Sequence, residues 1–390
     1  MVITGRDILC LSSQDWDGMW TGKQRFMQKF ARLNNMVLYV EAQASLVSVG
    51  ILRKDPGRLF RWLKGPRRVE ENLFVATLPL VCPFFQMSPL INRLNNRCIT
   101  WILRVWKKRL DMRDLVLWTY NPYSESLVGR LGETCAVYGC VDELSASRGL
   151  VNAEVVKAFE RRLIEKADAV YVTHENLLRS KREYAKNIHL VPNGVEIEHF
   201  GKTILAETPG VPEMEKIKKP VIGFLGSIQY WVDMDLLRHI AVARPEWSLV
   251  LIGPVGRLAK TEKVEALHNV HLLGRKPYSD LPLYLKRWDV CINPYILDET
   301  AENCSPLKLY EYIASGKPVV SVDMPEARKF PGIVEIAKTY DEFLGRIDAI
   351  LERLPEDRAA VERRMAAVAS HSWSRRFEDL ERALEPLLKA

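Results

Sequence analysis

Short apolar runs and longer amphipathic stretches alternate along this chain. The runs Asp7–Ser12, Met36–Val40, Leu115–Thr119, Ala136–Cys140, Ala169–Thr173 and His189–Val191 have the length and composition of strands. Helical spacing marks Gly22–Leu33, Ser124–Leu131, Ala153–Ala167 and Glu175–Tyr184 between them. Strands separated by helix-length segments pair in parallel through right-handed crossovers. A turn at Pro192-Asn193-Gly194 and a loop-like stretch Lys202–Lys219 interrupt the pattern, which then restarts. Strands are predicted at Val221–Leu225, Ser248–Ile252, Val270–Leu273, Val290–Asn293 and Pro318–Val322. The matching helices are Met234–Val242, Lys260–Leu267, Leu281–Arg287 and Pro306–Ala314. The economical account is two Rossmann-like, doubly wound α/β domains, 1–202 and 220–372, joined by a linker 203–219. Trp373–Lys389 reads as an amphipathic helix with Phe377, Leu380, Leu384, Leu387 and Leu388 on one side, expected to pack back on the first domain.

Composition narrows the class. With 390 residues, 47% hydrophobic and 27% charged, the chain has apolar material for two cores. Its seven cysteines are scattered without a C-x-x-C pair, so neither a disulfide framework nor a zinc site is expected, and a reducing, cytoplasmic setting fits. The opening Met-Val-Ile-Thr-Gly-Arg-Asp lacks the basic and apolar regions of a secretory signal. The longest uncharged run, Leu73 to Asn92, carries Pro79, Pro83 and Pro89 and is read as a strand and a loop rather than a membrane span. The net charge of +7 is concentrated in two stretches, 51–70 and 93–109, where Arg and Lys interleave with Trp and aliphatic residues. That mixture suits peripheral contact with an anionic membrane better than nucleic acid; a solvated helix face is the simpler alternative.

The most informative segment is Asn303-Cys-Ser-Pro-Leu-Lys-Leu-Tyr-Glu-Tyr-Ile-Ala-Ser-Gly-Lys-Pro-Val-Val320. Ser305 is placed as an N-cap and Pro306 as the first helical residue, with Gly316 and Pro318 ending the helix. The free N–H groups around Leu307, with the positive end of the helix dipole, form an anion site. Lys308 lies in that first turn, where it would neutralise a departing diphosphate. Glu311, three residues on, is placed to accept hydrogen bonds from ribose hydroxyls. A plain i, i+3 surface ion pair between Lys308 and Glu311 is the competing reading.

This segment is similar to the signature of retaining glycosyltransferases of the GT-B fold, family 4, in which two acidic positions eight residues apart precede Ala-x-Gly-x-Pro-Val. Glu311 matches the second acid, which in the family binds the donor ribose. Asn303 stands at the first, where an amide could still contact the donor sugar. The Asn-x-x-Pro-x-Lys-x-x-Glu-Tyr form resembles the subgroup that builds bacterial cell-surface polysaccharides, including teichuronic-acid-type enzymes. The likeness extends to Val191–Val195, Gly223–Gly226, and Gly274 with Tyr278, Leu281 and Pro282. It implies two Rossmann-like domains facing a central cleft and a nucleotide-sugar donor, with UDP favoured by analogy. It also implies transfer with retention, to a lipid-linked or glycan acceptor in exopolysaccharide or capsule synthesis. No metal or other cofactor is expected, because fixed dipoles can hold the leaving diphosphate. The family's Arg and Lys after the glycine matched by Gly226 are missing: Ser227-Ile-Gln-Tyr-Trp-Val-Asp233 follows instead. Arg275 and Lys276 are candidate substitutes, placed by the family pattern near the nucleobase. A non-catalytic scaffold of a polysaccharide-assembly complex and a nucleotide-sugar epimerase are the competing functions.

In the first domain, Gly139-Cys-Val-Asp-Glu-Leu-Ser145 follows a predicted strand at the end where α/β sheets bind ligands. Asp142 matches a recurrent family Asp and is taken as a contact to the sugar or the acceptor hydroxyl; a loop or capping role is the alternative. Glu143, Asn121 and Tyr123 are further acceptor-side candidates. So are Asp15, Trp16 and Trp20 of the first strand–helix loop, where the indoles would stack on sugar or lipid, or else cap the core.

Overall fold

The computed structural model describes residues 3–45, 57–146 and 151–388. It divides into two compact units, one of residues 1–192 with 376–390 and one of 193–375. The division falls earlier than residue 202. The stretch 203–219 is no extended linker: it holds a 3₁₀ turn, Lys202–Ile204, and a short helix, Pro212–Glu215, whose Met214 is buried.

The first unit is built on β1 (Asp7–Leu11), β2 (Val37–Val40), β3 (Arg67–Glu70), β4 (Leu73–Ala76), β5 (Leu115–Thr119), β6 (Glu133–Cys140), β7 (Ala169–Val172) and β8 (Ile188–Leu190). Their order is β3-β4-β2-β1-β5-β6-β7-β8, parallel throughout except for β3 against β4. Central strands such as Val37–Val40 and Leu115–Thr119 are buried at every position, as sheets covered by helices on both faces require. The helix Gly22–Arg32 starts in a capping box of Thr21 and Gln24. Phe377 of the last helix, Trp373–Leu388, packs on Phe30 at 4.8 Å and Phe26 at 6.2 Å, and Leu380 and Leu384 are buried beside it.

The second unit carries β9 (Val221–Leu225), β10 (Ser248–Ile252), β11 (Val270–Gly274), β12 (Val290–Asn293), β13 (Val319–Val322) and β14 (Val334–Ala337), all parallel, in the order β11-β10-β9-β12-β13-β14.

Several elements differ from the sequence reading. Residues 124–131 form no helix; a 3₁₀ turn, Pro122–Ser124, is followed by further turns, and the Glu133 carboxylate takes the N–H groups of Gly129 and Leu131. Only Thr261–Lys263 of the expected helix 260–267 is helical, and that turn is 3₁₀. The run after Leu73 is a strand as read, but the loop ends at Ser88, whose side chain caps a long helix, Pro89–Arg109, with Pro89 at its tolerant first position. Strands β3 and β14 and the helices Tyr340–Glu352 and Arg358–Ala367 were not anticipated. Among the described residues no helix is long and apolar enough to cross a membrane.

Candidate active site

In the second sheet the chain runs outward from β9 through β10 to β11, then returns to β12 on the other side of β9. The carboxyl ends of β9 and β12 therefore flank a topological switch point, where open α/β sheets leave a crevice for ligands. Backbone bonds knit the loops there: Gly226 N–H donates to Ile252 O, Gly253 N–H to Gly274 O, and Asp233 N–H to Pro294 O. Gly226 (φ +132°) and Gly253 (φ +149°) hold backbone that side-chain-bearing residues avoid. A Cβ on Gly253 would fall 1.9 Å from Gly226 O, so the two loops touch only because Gly253 lacks a side chain.

The segment 298–316 closes this crevice. Asp298 caps a short helix, Glu299–Glu302, and the Asn303 amide donates to Glu299 O at 2.7 Å. Ser305 is not the N-cap expected of it. Its buried hydroxyl lies 3.3 Å from Tyr310 Oη and 3.4 Å from Glu326 Oε1, while its carbonyl accepts from Asn193 Nδ2 at 2.6 Å. Pro306 takes the N-cap place with extended backbone, and the helix is Leu307–Ala314. Because proline has no capping side chain, the first-turn N–H groups stay uncapped by side chains, which strengthens the anion-binding character of this end.

Lys308 is buried in the first turn. Its ammonium donates to Tyr295 Oη at 2.6 Å and lies 4.4 Å from the Tyr295 ring centroid and 4.6 Å from that of Phe224. A Cβ on Gly226 would meet Lys308 Cε at 2.7 Å, so this lysine lies directly over the glycine loop. Burial pushes the ammonium down to about 8, against the opposing pull of Cys304 and Glu311. Glu311 is half-buried one turn further along the helix. Tyr295 and Phe224 are site residues that the sequence reading missed. The signal for Tyr295 was available: Asn293-Pro-Tyr295 repeats, in the second unit, the Asn121-Pro-Tyr123 that follows β5 in the first.

Gly274 ends β11, and Gly226 and Ser227 follow β9, on the same carboxyl edge. Arg275 is exposed. Lys276 is committed elsewhere: its ammonium pairs with Glu213 at 2.5 Å, a hydrogen bond that raises its pKa, and sits over the Tyr284 ring. It does not stand in for the missing diphosphate clamp without breaking that pair.

The first unit repeats the logic at its own switch point, between β1 and β5. Lys23, at the start of the helix after β1, is buried, with its ammonium 5.6 Å from the Tyr120 ring centroid. No hydrogen bond holds it among the described residues. Burial lowers its pKa, and the Asp142 carboxylate and the Cys10 thiol oppose that shift. Asp142 itself is exposed on the loop after β6. Each unit thus carries a buried lysine against a tyrosine ring at its switch point, and Lys23 was not anticipated.

The other acceptor-side candidates all have partners within the first unit. Asp15 forms a two-pronged ion pair with buried Arg58, at 2.7 and 3.1 Å. Trp16 is core, edge-on to Tyr39 and to half-buried Trp20; Trp20 also faces the Arg25 guanidinium. Asn121 caps the 3₁₀ turn by accepting from Tyr123 N–H at 3.0 Å. Tyr123 packs between Phe85 and Phe159, and burial pushes its hydroxyl up to about 12. Glu143 is spent on Lys181 (2.7 Å) and Ser145 (2.6 Å).

Residues 219–353, which contain this whole crevice, match the family described as "Glycosyl transferases group 1". A Bacillus subtilis (strain 168) protein carrying the name of a teichuronic acid biosynthesis glycosyltransferase, TuaH, is 28% identical over 206 residues; the match spans about half of each chain, 50% of this one and 51% of that one. Among solved structures, a sucrose-phosphate synthase of Thermosynechococcus elongatus superimposes with a TM-score of 0.71 at 15% identity, covering 98% of this chain and 100% of that one. The Anabaena protein Alr3699/HepE, in complex with UDP and glucose, does so with a TM-score of 0.64 at 13% identity, covering 97% and 99%. The chain therefore has the GT-B fold of two Rossmann-like domains, and over 219–353 it resembles the group 1 glycosyltransferases.

Proposed function

We propose that this chain transfers a sugar, with retention, from a nucleoside-diphosphate donor, UDP for preference, to a lipid-linked glycan of a bacterial cell-surface polysaccharide, working on the cytoplasmic side. The observation that carries the reading is Lys308: a buried ammonium at an uncapped helix start, laid over the Gly226 loop at the switch point. The crevice offers three things a departing diphosphate needs: N–H groups, a dipole and a cation, all fixed before the reaction. Glu311, one turn behind, is the ribose anchor, and Gly274 marks the nucleobase end. Lys308 stabilises the charge that grows on the leaving oxygen as the glycosidic bond breaks. The diphosphate takes the acceptor's proton, so no protein nucleophile is required, and the chemistry needs no metal. The likeness to the named teichuronic acid enzyme supports the choice of acceptor class.

The test is nucleotide release by the purified protein from a panel of nucleotide sugars, with and without chelator. We expect release with UDP-sugars, unchanged by chelator, and an axial or equatorial linkage that keeps the donor's configuration by NMR. In Lys308→Ala, kcat should fall roughly 10²–10³-fold, the usual cost of one oxyanion donor. Near-normal turnover in a folded variant removes Lys308 from the chemistry. A second reading, a non-catalytic scaffold, is favoured by Asn303, whose amide is turned to Glu299 O, and by the missing clamp after Gly226. It is the answer if UDP binds and no donor is ever consumed.

A further inference from the structure

The helix Pro89–Arg109 is laid into the first unit with polar groups inward and apolar groups outward over its first half. Its buried side holds Asn92, Asn95, Asn96 and Thr100. These are not misplaced, because each is held by at least one hydrogen bond, although Asn92 Oδ1 accepts none. Asn92 and Asn96 donate to Tyr123 O at 2.9 and 2.7 Å, Asn95 exchanges two bonds with the Cys82 backbone at 3.0 Å each, and Thr100 donates to Asn96 O at 2.6 Å. The outward stripe, at the three-and-four spacing of one helix face, carries Leu90 (67% exposed), Leu94 (50%), Trp101 (66%) and Val105 (46%). Ordinary folding leaves no reason to fix asparagines inside while a tryptophan of that size faces out.

The same stripe is positive. Arg93, Arg97, Arg104 and Lys108 interleave with the apolar positions, and residues 89–109 contain no acid. Arg93, Arg97 and Lys108 have no ion-pair partner among the described residues. A second helix, Arg58–Lys64, adds exposed Phe60 (65%) and Leu63 (63%) with Lys64. It adjoins the first at its end: a Cβ on Gly65 would lie 2.9 Å from Arg109 Nη1. The turn before Ser88 adds exposed Phe84 and Met87. Arg53 and Lys54, part of the basic stretch 51–70, lie outside the described residues.

We infer that this face docks on an anionic lipid bilayer, with the 89–109 helix lying in the interface plane, its indole and aliphatic side chains among the acyl chains and its arginines on the headgroup phosphates. The charge decides the occupant. A second copy of the chain would bring two cationic stripes together, and a neutral surface would leave the arginines unanswered. Around the proposed function, this face supplies the place where a lipid-linked acceptor is met, and in that it rests on the reading above; its test asks nothing of catalysis.

The experiment is co-sedimentation of the full chain with vesicles of phosphatidylcholine alone or with phosphatidylglycerol added. Two double variants at exposed positions accompany it, Leu94→Ser/Trp101→Ser and Arg93→Glu/Arg97→Glu, their folding checked by circular dichroism and a cooperative melt. We expect binding to the phosphatidylglycerol vesicles only, weakened by salt. Each double variant should lower partitioning at least about tenfold, since one basic residue near such a surface is worth roughly fivefold. No binding of the wild type to anionic vesicles overturns the inference. So does binding that survives both double variants, or light scattering that shows a dimer abolished by them. Catalytic failure with normal vesicle binding would instead speak against the proposed reaction alone.

Discussion

A lysine ammonium held against two aromatic rings is costly to keep charged, and Lys308 makes that cost useful. With its pKa brought down to about 8 by burial, it is half-deprotonated near pH 8, whereas an unfolded lysine keeps its proton to about 10.5. The unfolded chain therefore binds more protons over that window, and the second unit gains stability as pH rises from about 8 to 10.5. A diphosphate reverses the balance by favouring the charged form. Binding of UDP at pH 8 should take up about half a proton, read by calorimetry in two buffers of different ionisation enthalpy, and affinity should fall as pH climbs above 8. Lys308→Met should abolish the uptake; uptake that persists in it assigns the proton to another group. Gly226→Ala tests the same contact from the other side, since its Cβ would strike Lys308 Cε and its φ of +132° suits glycine alone. A cost of order 1–3 kcal/mol in stability, with weaker UDP binding, is expected in chemical denaturation and titration. Lys308 was legible in the sequence because Pro306 and Gly316 bracket a helix locally. Tyr295 left a trace in the repeated Asn-Pro-Tyr; Phe224 and Lys23 left none, because their roles come from elements adjacent in space and distant in sequence.

The loop after β6 shows how an element is fixed from beneath. Lys181, from the helix Glu175–Lys181, is buried between Glu143 on that loop and Glu160 on the helix Ala153–Lys166, at 2.7 Å from each. Tyr138 and Cys140 also donate to Glu160. Burial alone would raise the Glu143 pKa, but Lys181 and Ser145 outweigh it and hold the group below the ordinary carboxylate range. That stability is present above the unfolded pKa and is lost as pH falls through the folded one. Lys181→Met leaves two buried carboxylates unanswered, and we expect about 3–5 kcal/mol of destabilisation at pH 7 by urea unfolding, shrinking as pH falls and the acids protonate. A loss below 1 kcal/mol would mean that water already reaches the cluster. Glu143 therefore positions the loop that presents Asp142, which sequence alone could not separate from a ligand contact. At this scale the periodic strands and capped helices were readable. The 3₁₀ turn at 122–124 and the helix from Pro89 were not, because each depends on a side chain taking a backbone group or on one tolerant proline position.

At the scale of the molecule, the two repeats of strand and helix were visible in the sequence; where the chain changes unit was not, since Asn193–Arg375 is marked off by packing rather than by composition. The last helix belongs in part to the first unit. Phe377, Leu380, Leu384 and Leu388 are buried there, the Ile3 N–H donates to Glu381 at 3.0 Å, and Arg6 donates to Leu388 O at 2.5 Å. Four such side chains are worth roughly 6–12 kcal/mol of burial, comparable to the whole stability of an ordinary domain. Ending the chain after Arg375 should therefore unfold the first unit, exposing Phe26 and Phe30, while leaving the sheet of the second unit intact. The expected result is rapid proteolysis confined to 1–192 and a UDP affinity close to that of the full chain. If both units unfold together, their stabilities are coupled and the second unit is not self-sufficient. If neither does, the hydrophobic face of the helix contributes far less than its burial implies.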